Sequence, residues 1–226
     1  SREKVAFIDV AANIGLRVHR SAAATQVIRA QVDSGLIETT GGIGVIDWNG
    51  DGFDDLFAWD ARRTLQIFVN DGRGGYDTIM NPIPPEAVGL FNLYVDLDGN
   101  GQNEFVSSQI RGCQDGVAWF GLFERGDGDR LVFVGRRLSF KTKCDGYRRV
   151  RYQHIAVDDV DSDGDLDLFF SGFEGTDSGR KKGNSFQAAN GTPNRLFINQ
   201  GGHRYLEVAG KQGIAGQDFT YLAKFI

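Results

Sequence analysis

Short apolar runs alternate with acidic, glycine-rich segments along most of the chain. Val, Ile, Leu, Phe and Tyr are concentrated in runs such as residues 44–46, 56–59, 93–95 and 168–170, and each run has an Asp directly beside it. Short runs that are rich in β-branched and aromatic side chains and bounded by turn residues favour strands. The pattern therefore predicts an all-β protein whose acidic segments connect strand to strand.

The pattern occurs three times with the same order of segments. In each repeat, a strand, an acidic loop and a second strand are followed by two more predicted strands. A glycine-rich hairpin connects these last two at residues 70–75, 126–128 and 199–203. Four antiparallel strands per repeat form one blade of a β-propeller. The sequence predicts a partial propeller of about three to four blades over residues 1–226, with repeats at about 41–80, 90–137 and 152–210.

The three acidic loops, residues 47–55, 96–104 and 159–167, share one spacing. Each carries carboxylate or amide side chains at positions one, three, five and nine, and Gly at position six. Ca²⁺ takes six to eight oxygen ligands, and the Gly permits the turn that brings them together, with a backbone carbonyl at position seven. The predicted ligands are Asp47, Asn49, Asp51, Phe53 and Asp55; Asp96, Asp98, Asn100, Gln102 and Glu104; and Asp159, Asp161, Asp163, Asp165 and Asp167. We predict calcium loops; ordinary polar turns are the alternative.

An EF-hand begins with the same nine residues. Its twelve-residue loop ends in a bidentate Glu and lies between two helices. Position twelve is Ala58, Ser107 or Phe170 here, and the flanking runs predict strands. The loops are therefore not predicted to be EF-hands. The second loop departs from the pattern, because Asn100 stands at position five and Glu104 at position nine.

Composition agrees with a large all-β unit. The chain has 226 residues, 41% of them hydrophobic, with 31 Gly and 17 Phe, so it can bury a substantial core and form many tight turns. No apolar run approaches the ~18 residues that cross a bilayer. The start at Ser1 lacks the apolar stretch of a signal peptide, so the chain is either not exported or has lost a leader.

The two cysteines, Cys113 and Cys144, both lie in the second repeat. One disulfide or two reduced buried thiols fit an even count. Both cysteines stand beside turn residues and outside apolar runs, which favours the disulfide. A disulfide and calcium loops together suit a compartment outside the cytoplasm.

Two similarities indicate the family that the chain resembles. The loops and their flanking strands resemble the FG-GAP/VCBS repeats of integrin α-subunit propellers and of many secreted and bacterial surface proteins. Residues 7–16 are also similar to residues 205–214, and with the segment 192–197 this resembles the cartilage acidic protein and ASPIC/UnbV branch. The resemblance covers about residues 5–226. It implies a calcium-stabilised propeller outside the cytoplasm that binds proteins or carbohydrates, and it implies no catalytic activity.

The C-terminal residues 220–226 have the apolar character of the strand that precedes each loop. A loop aspartate is expected directly after Ile226. Because a propeller needs four to eight blades to close, we expect the chain to be a fragment of a longer protein or to be completed by other polypeptide.

The sequence contains few candidates for catalysis. His19, His154 and His203 lack the paired spacing of a zinc site, there is no G-x-S-x-G motif, and each histidine is predicted to be a surface or packing residue. The predicted function is therefore a non-enzymatic, calcium-stabilised binding and assembly module outside the cytoplasm. The alternative is the non-catalytic scaffold of a larger secreted enzyme that cleaves polysaccharides or phosphodiesters.

Three surface features are candidates for recognition or modification. A basic cluster near Cys144 stands out because the chain has a net charge of −5, which makes nucleic acid a poor partner. Its members are Arg136, Arg137, Lys141, Lys143, Arg148, Arg149 and Arg151. The cluster fits an anionic partner such as a sulfated glycan, or a charged blade edge that resists pairing. The tripeptide at residues 125–127 is Arg-Gly-Asp, a sequence found both in adhesion sites and in ordinary hairpins. Asn190 begins a sequon for N-glycosylation.

Overall fold

The computed structural model describes residues 10–16, 41–60, 63–145, 150–174, 191–216, 220 and 223–224. Within them the chain forms thirteen strands and one short 3-10 helix, Pro85–Ala87. The strands are β1 Gly42–Ile46, β2 Asp55–Trp59, β3 Leu65–Asn70, β4 Tyr76–Met80, β5 Asn92–Val95, β6 Glu104–Gln114, β7 Val117–Arg125, β8 Leu131–Phe133, β9 Ser139–Lys141, β10 Arg151–Asp158, β11 Asp167–Glu174, β12 Arg195–Asn199 and β13 Tyr205–Glu207. The all-β prediction is confirmed.

The strands form three antiparallel sheets, which we call blades 1, 2 and 3. Blade 1 has the order β1-β2-β3-β4, and blade 3 has the order β10-β11-β12-β13. The acidic loops connect β1 to β2, β5 to β6 and β10 to β11, so the prediction that they join strand to strand is confirmed. The described residues show no closure of the blades into a ring.

Blade 2 has five strands, because two short strands share its last position. Its order is β5-β6-β7-β8, and β9 also pairs with β7. Phe123 on β7 pairs with Phe133 on β8, whereas Ala118 farther back on β7 pairs with Phe140 on β9. The second sheet therefore extends to Lys141 and reaches into the basic cluster.

Each face of blade 2 packs against a neighbouring blade. Successive residues of a strand point to opposite faces, so Phe105 packs with Phe57 and Trp59 of blade 1, whereas Val106 belongs to the cluster shared with blade 3. In the cluster shared with blade 3, the Phe120 and Phe170 rings stack with their centroids 4.0 Å apart. These two clusters join each blade to the next through apolar side chains.

The disulfide prediction is confirmed, because Cys113 is bonded to Cys144. Cys113 lies near the end of β6, directly before the hairpin turn at Asp115 and Gly116. The alternative of two reduced thiols is therefore wrong. The bond ties the β6–β7 hairpin to the segment that follows β9, at the centre of the basic cluster.

The two segments that are similar in sequence adopt the same turn. In the first turn the Leu16 N–H donates to the Ala11 carbonyl at 2.9 Å, and in the second the Ile214 N–H donates to the Ala209 carbonyl at 3.0 Å. The second turn directly follows β13. The internal similarity in sequence thus corresponds to one repeated backbone conformation.

Several sequence-based expectations lie outside the described residues. They concern the strand expected at Phe225 and Ile226, His19, the sequon at Asn190, and Arg148 and Arg149 of the basic cluster. In the described part of the chain, no helix is long and apolar enough to cross a membrane.

Candidate metal-binding loops

Each loop folds around the carboxylate at position one. In all three loops this carboxylate accepts a hydrogen bond from the position-six N–H, at 3.0, 2.8 and 3.0 Å. It also accepts one from the position-five N–H, at 3.2, 3.1 and 3.1 Å. The three carboxylates belong to Asp47, Asp96 and Asp159. This repeated set of bonds gives the loops the same backbone frame.

Two positions of each loop, four and six, have left-handed backbone. Position six is Gly52 at φ 84°, Gly101 at 83° and Gly164 at 95°, and position four is Gly50 at 74°, Gly99 at 70° and Ser162 at 63°. The sequence prediction placed the turn at position six alone. The Gly at position four of the first two loops was the signal for the second left-handed residue.

The carboxylate at position nine is buried in every loop. Asp55 and Asp167 are 0% exposed and Glu104 is 1% exposed. Each accepts a hydrogen bond from the position-two N–H of its own loop, at 2.7, 2.9 and 2.7 Å respectively. The other oxygen of Asp55 accepts from the Asn70 N–H at 2.6 Å, and that of Asp167 from the Asn199 N–H at 2.8 Å. Position nine is thus a structural anchor as well as a predicted ligand.

The loops differ in how closely they bring the predicted ligands together. In the third loop, Asp159, Asp161 and Asp167 each place a carboxylate oxygen within 4.8 Å of the other two. In the first loop the amide of Asn49 donates to Asp51 at 2.7 Å, so positions three and five are adjacent. All donors in these two loops are oxygens of carboxylates, amides and carbonyls, which is the set that Ca²⁺ prefers.

The second loop brings together a different set of donors. Asp98 and Glu104 each place an oxygen within 4.8 Å of the other and of a ring nitrogen of His203, which lies on the turn between β12 and β13. Asn100, at position five, donates its amide N–H to Asp98 at 3.1 Å. His203 is therefore buried against carboxylates and not exposed at the surface, and its predicted packing role stays a prediction.

Burial and neighbouring negative charge shift the protonation of two position-nine carboxyl groups. Burial raises the pKa of Glu104 to about 7, and the carboxylates of Asp98, Asp96 and Glu124 add to that effect. Burial also raises the pKa of Asp167. Without a cation, a proton on these buried groups relieves the repulsion, whereas a bound cation favours the charged carboxylates.

The described members of the basic cluster lie on β9 and beside it in the chain, and Arg151 begins β10. Arg136 packs over the Trp119 ring with 4.0 Å between the guanidinium carbon and the ring centroid, and it donates to the Gln114 side chain at 2.8 Å. Arg137, Lys141 and Lys143 are exposed, and Arg151 is half-buried. The exposed cations therefore stand on the β9 side of blade 2.

The Arg-Gly-Asp tripeptide does not present its arginine freely. Arg125 ends β7, donates to the carbonyl of Trp48 and packs over the Trp48 ring at 4.8 Å. Trp48 is position two of the first loop. Arg125 thus contacts blade 1, and the recognition of this tripeptide by an adhesion receptor requires that contact to break.

His154 fits the predicted packing role. Its ring lies 4.4 Å from that of Phe91, and burial lowers the pKa of its imidazole. It belongs to neither of the metal-ligand clusters that the described residues form.

We expect Gly164→Ala to lower the free energy of unfolding by about 1 kcal/mol or more, because φ of 95° is strained for Ala. Gly210→Ala is the matched control, since a Cβ at either glycine meets no atom within 4 Å and Gly210 lacks a positive φ. Urea unfolding of both variants measures the difference. Equal stabilities would contradict the assigned loop conformation.

We expect the stability of metal-free protein to depend on the proton of Glu104. The folded state holds this proton up to a pH of about 7, whereas the ordinary pKa is 4.5, so the Glu104 contribution falls as pH rises through that window. Thermal melts in chelator from pH 5 to 7.5 should show a larger loss for wild type than for Glu104→Gln. Parallel curves would contradict the shift. Groups remote from Glu104, such as His154, contribute equally to both proteins.

Comparison with known proteins supports the repeat family. Residues 47–107 match the family model of the FG-GAP-like repeat. The matched segment begins at the first loop and ends within β6, so it includes two of the three loops. No curated protein matches the chain. The match supports the FG-GAP/VCBS repeat family, whose repeat is a non-catalytic interaction module.

Proposed function

We propose that the chain is a calcium-stabilised β-propeller segment that acts as a binding and assembly module outside the cytoplasm. The observation that supports it most is the shared hydrogen-bond frame of the three loops, repeated at the same place in three blades. The FG-GAP-like repeat match supports an interaction role. The assignment to the cartilage acidic protein and ASPIC/UnbV branch remains a prediction.

In this proposal Ca²⁺ stabilises the blades by neutralising the acidic loops. The side chains at positions one, three, five and nine hold the ion, together with the carbonyls of Phe53, Gln102 and Asp165. The buried position-nine carboxylate connects the bound ion to the next strand of the blade. Removal of the ion leaves carboxylates that repel one another at short distance.

The disulfide between Cys113 and Cys144 supports a location outside the cytoplasm. Disulfides form and persist in oxidising compartments, and extracellular calcium is plentiful enough for loops of moderate affinity. Both features suit a secreted, surface or periplasmic protein.

The basic cluster is the proposed site for an anionic partner such as a sulfated glycan. Its exposed described members, Arg136, Arg137, Lys141 and Lys143, contrast with the acidic net charge of −5. The competing explanation is that the charges protect the β9 edge from pairing with another sheet. The two explanations differ in whether an anion binds here more strongly than at other lysines.

Chelation followed by dialysis should lower the melting temperature, and added calcium should restore it. One site at a free calcium concentration 100 times Kd contributes about 2.7 kcal/mol, which corresponds to about 5 to 10 °C for a chain of this length. An unchanged melting temperature after chelation would contradict the proposed stabilisation by calcium.

At positions one, three, five and nine the third loop has four carboxylates and the other two loops have three each, so the third loop should be the tightest calcium site. Asp163→Ala should therefore lower the calcium-dependent stability more than Asn100→Ala does. The reverse order in matched calcium titrations would count against the ligand assignment.

Heparin-agarose tests the anionic partner. The double variant Lys141→Glu with Lys143→Glu should elute at clearly lower salt than wild type. The control is Lys211→Glu with Lys224→Glu, which changes the net charge by the same amount at two exposed lysines outside the cluster. Equal shifts for the two variants would favour simple edge protection.

A further inference from the structure

His203 inserts a nitrogen donor into the second loop from the neighbouring blade. It lies on the β12–β13 turn, is 9% exposed, and places Nε2 2.9 Å from Oε1 of Glu124 and 3.4 Å from Oδ2 of Asp98. Asp98 and Glu104, which is 1% exposed, each place an oxygen within 4.8 Å of a ring nitrogen of His203 and of each other. Three potential ligands from two blades therefore converge, and Glu124 contacts the imidazole beside them.

The turn that carries His203 is fixed to the second loop. The amide of Asn199, at the end of β12, donates to the carbonyl of Leu97 in the loop at 3.0 Å. The Asn199 side-chain oxygen also accepts from the Gly201 N–H at 3.1 Å. The imidazole is thus held beside the loop by contacts that do not involve the donors themselves, which is how a preorganised site is built.

A buried hydroxyl beside the cluster lacks a partner. Among the described residues, the Tyr205 hydroxyl is buried and makes no hydrogen bond. Burial raises the pKa of this hydroxyl, and the negative charges of Glu104 and Asp98 in the second loop and of Asp165 and Asp167 in the third loop add to that effect.

The mixed donor set points away from calcium. Imidazole with carboxylates suits zinc and its first-row neighbours, whereas Ca²⁺ takes oxygen ligands. The 3.4 Å between Nε2 of His203 and Oδ2 of Asp98 is close to the edge, about 3.3 Å, of a tetrahedron with zinc-ligand bonds of about 2.0 to 2.1 Å. Because position five is Asn100 in the second loop and Asp163 in the third, the second loop has one carboxylate fewer at the four side-chain ligand positions.

We propose that Asp98, Glu104 and His203, with Glu124 alongside, form a site for a zinc-class transition metal that joins blade 2 to blade 3. The proposal rests on the proposed function for the first and third loops, and it replaces calcium by a transition metal at the second loop. Binding of a metal through Nε2 would replace the 2.9 Å contact between Nε2 of His203 and Glu124.

Among the described residues, the other two loops lack this arrangement. Beside the first loop, blade 2 presents the guanidinium of Arg125 against Trp48, so a cation already occupies the neighbouring surface. In the third loop the converging donors are the carboxylates of Asp159, Asp161 and Asp167. Within the part of the chain that the structure describes, a histidine nitrogen therefore approaches the second loop and neither of the other two.

Titration with Co²⁺ tests the site in the full chain. Metal-free protein is first saturated with calcium, so that oxygen-only loops are occupied, and Co²⁺ is then followed by its visible absorption and displaced with Zn²⁺. We expect one equivalent to bind. His203→Asn, which keeps a residue that tolerates positive φ, should weaken binding at least tenfold, whereas His154→Gln should leave it unchanged.

Glu124→Gln gives a second variant, at a side chain that is 45% exposed, and we expect a smaller loss of affinity from it. Unchanged Co²⁺ affinity in both His203→Asn and Glu124→Gln would overturn the proposal, and so would no binding by wild type. Asp159→Asn separates this result from the calcium proposal, because it should lower calcium-dependent stability and leave Co²⁺ binding intact.

Discussion

The buried carboxylate at position nine is the contact on which each blade depends. It accepts a hydrogen bond from the N–H of position two, and this bond closes the loop. In blades 1 and 3 it also accepts a hydrogen bond from the N–H of the last residue of the third strand. One side chain therefore joins the loop, the strand that it begins and the next strand. A bound cation at the loop keeps that carboxylate charged, so metal binding and strand order support each other.

The same loops also form the contacts between blades. Position two of the first loop, Trp48, is buried, and its carbonyl accepts from Arg125 of blade 2. Position two of the second loop, Leu97, is buried in the cluster shared with blade 3, and its carbonyl accepts from Asn199. Because a loop that closes around a cation also presents this contact, metal binding is expected to strengthen the stacking of the blades.

Strands and loops were predictable because their signals are local. Short apolar runs beside Asp and Gly indicated the strand positions, and the Gly at position six indicated one of the two left-handed residues of each loop. The position of His203 beside the second loop was not predictable from the sequence. The turn that carries His203 meets this loop through a contact between residues 102 positions apart in the chain. The division of the last strand of blade 2 into β8 and β9 was missed because both are only three residues long.

A crystal structure grown in calcium, with anomalous difference density measured at a long wavelength, tests the central claim most directly. The account predicts calcium peaks in the first and third loops, with the carbonyl oxygens of Phe53 and Asp165 about 2.3 to 2.6 Å from the ions. Loops that keep the same backbone while showing only water at these points, at saturating calcium, would contradict it.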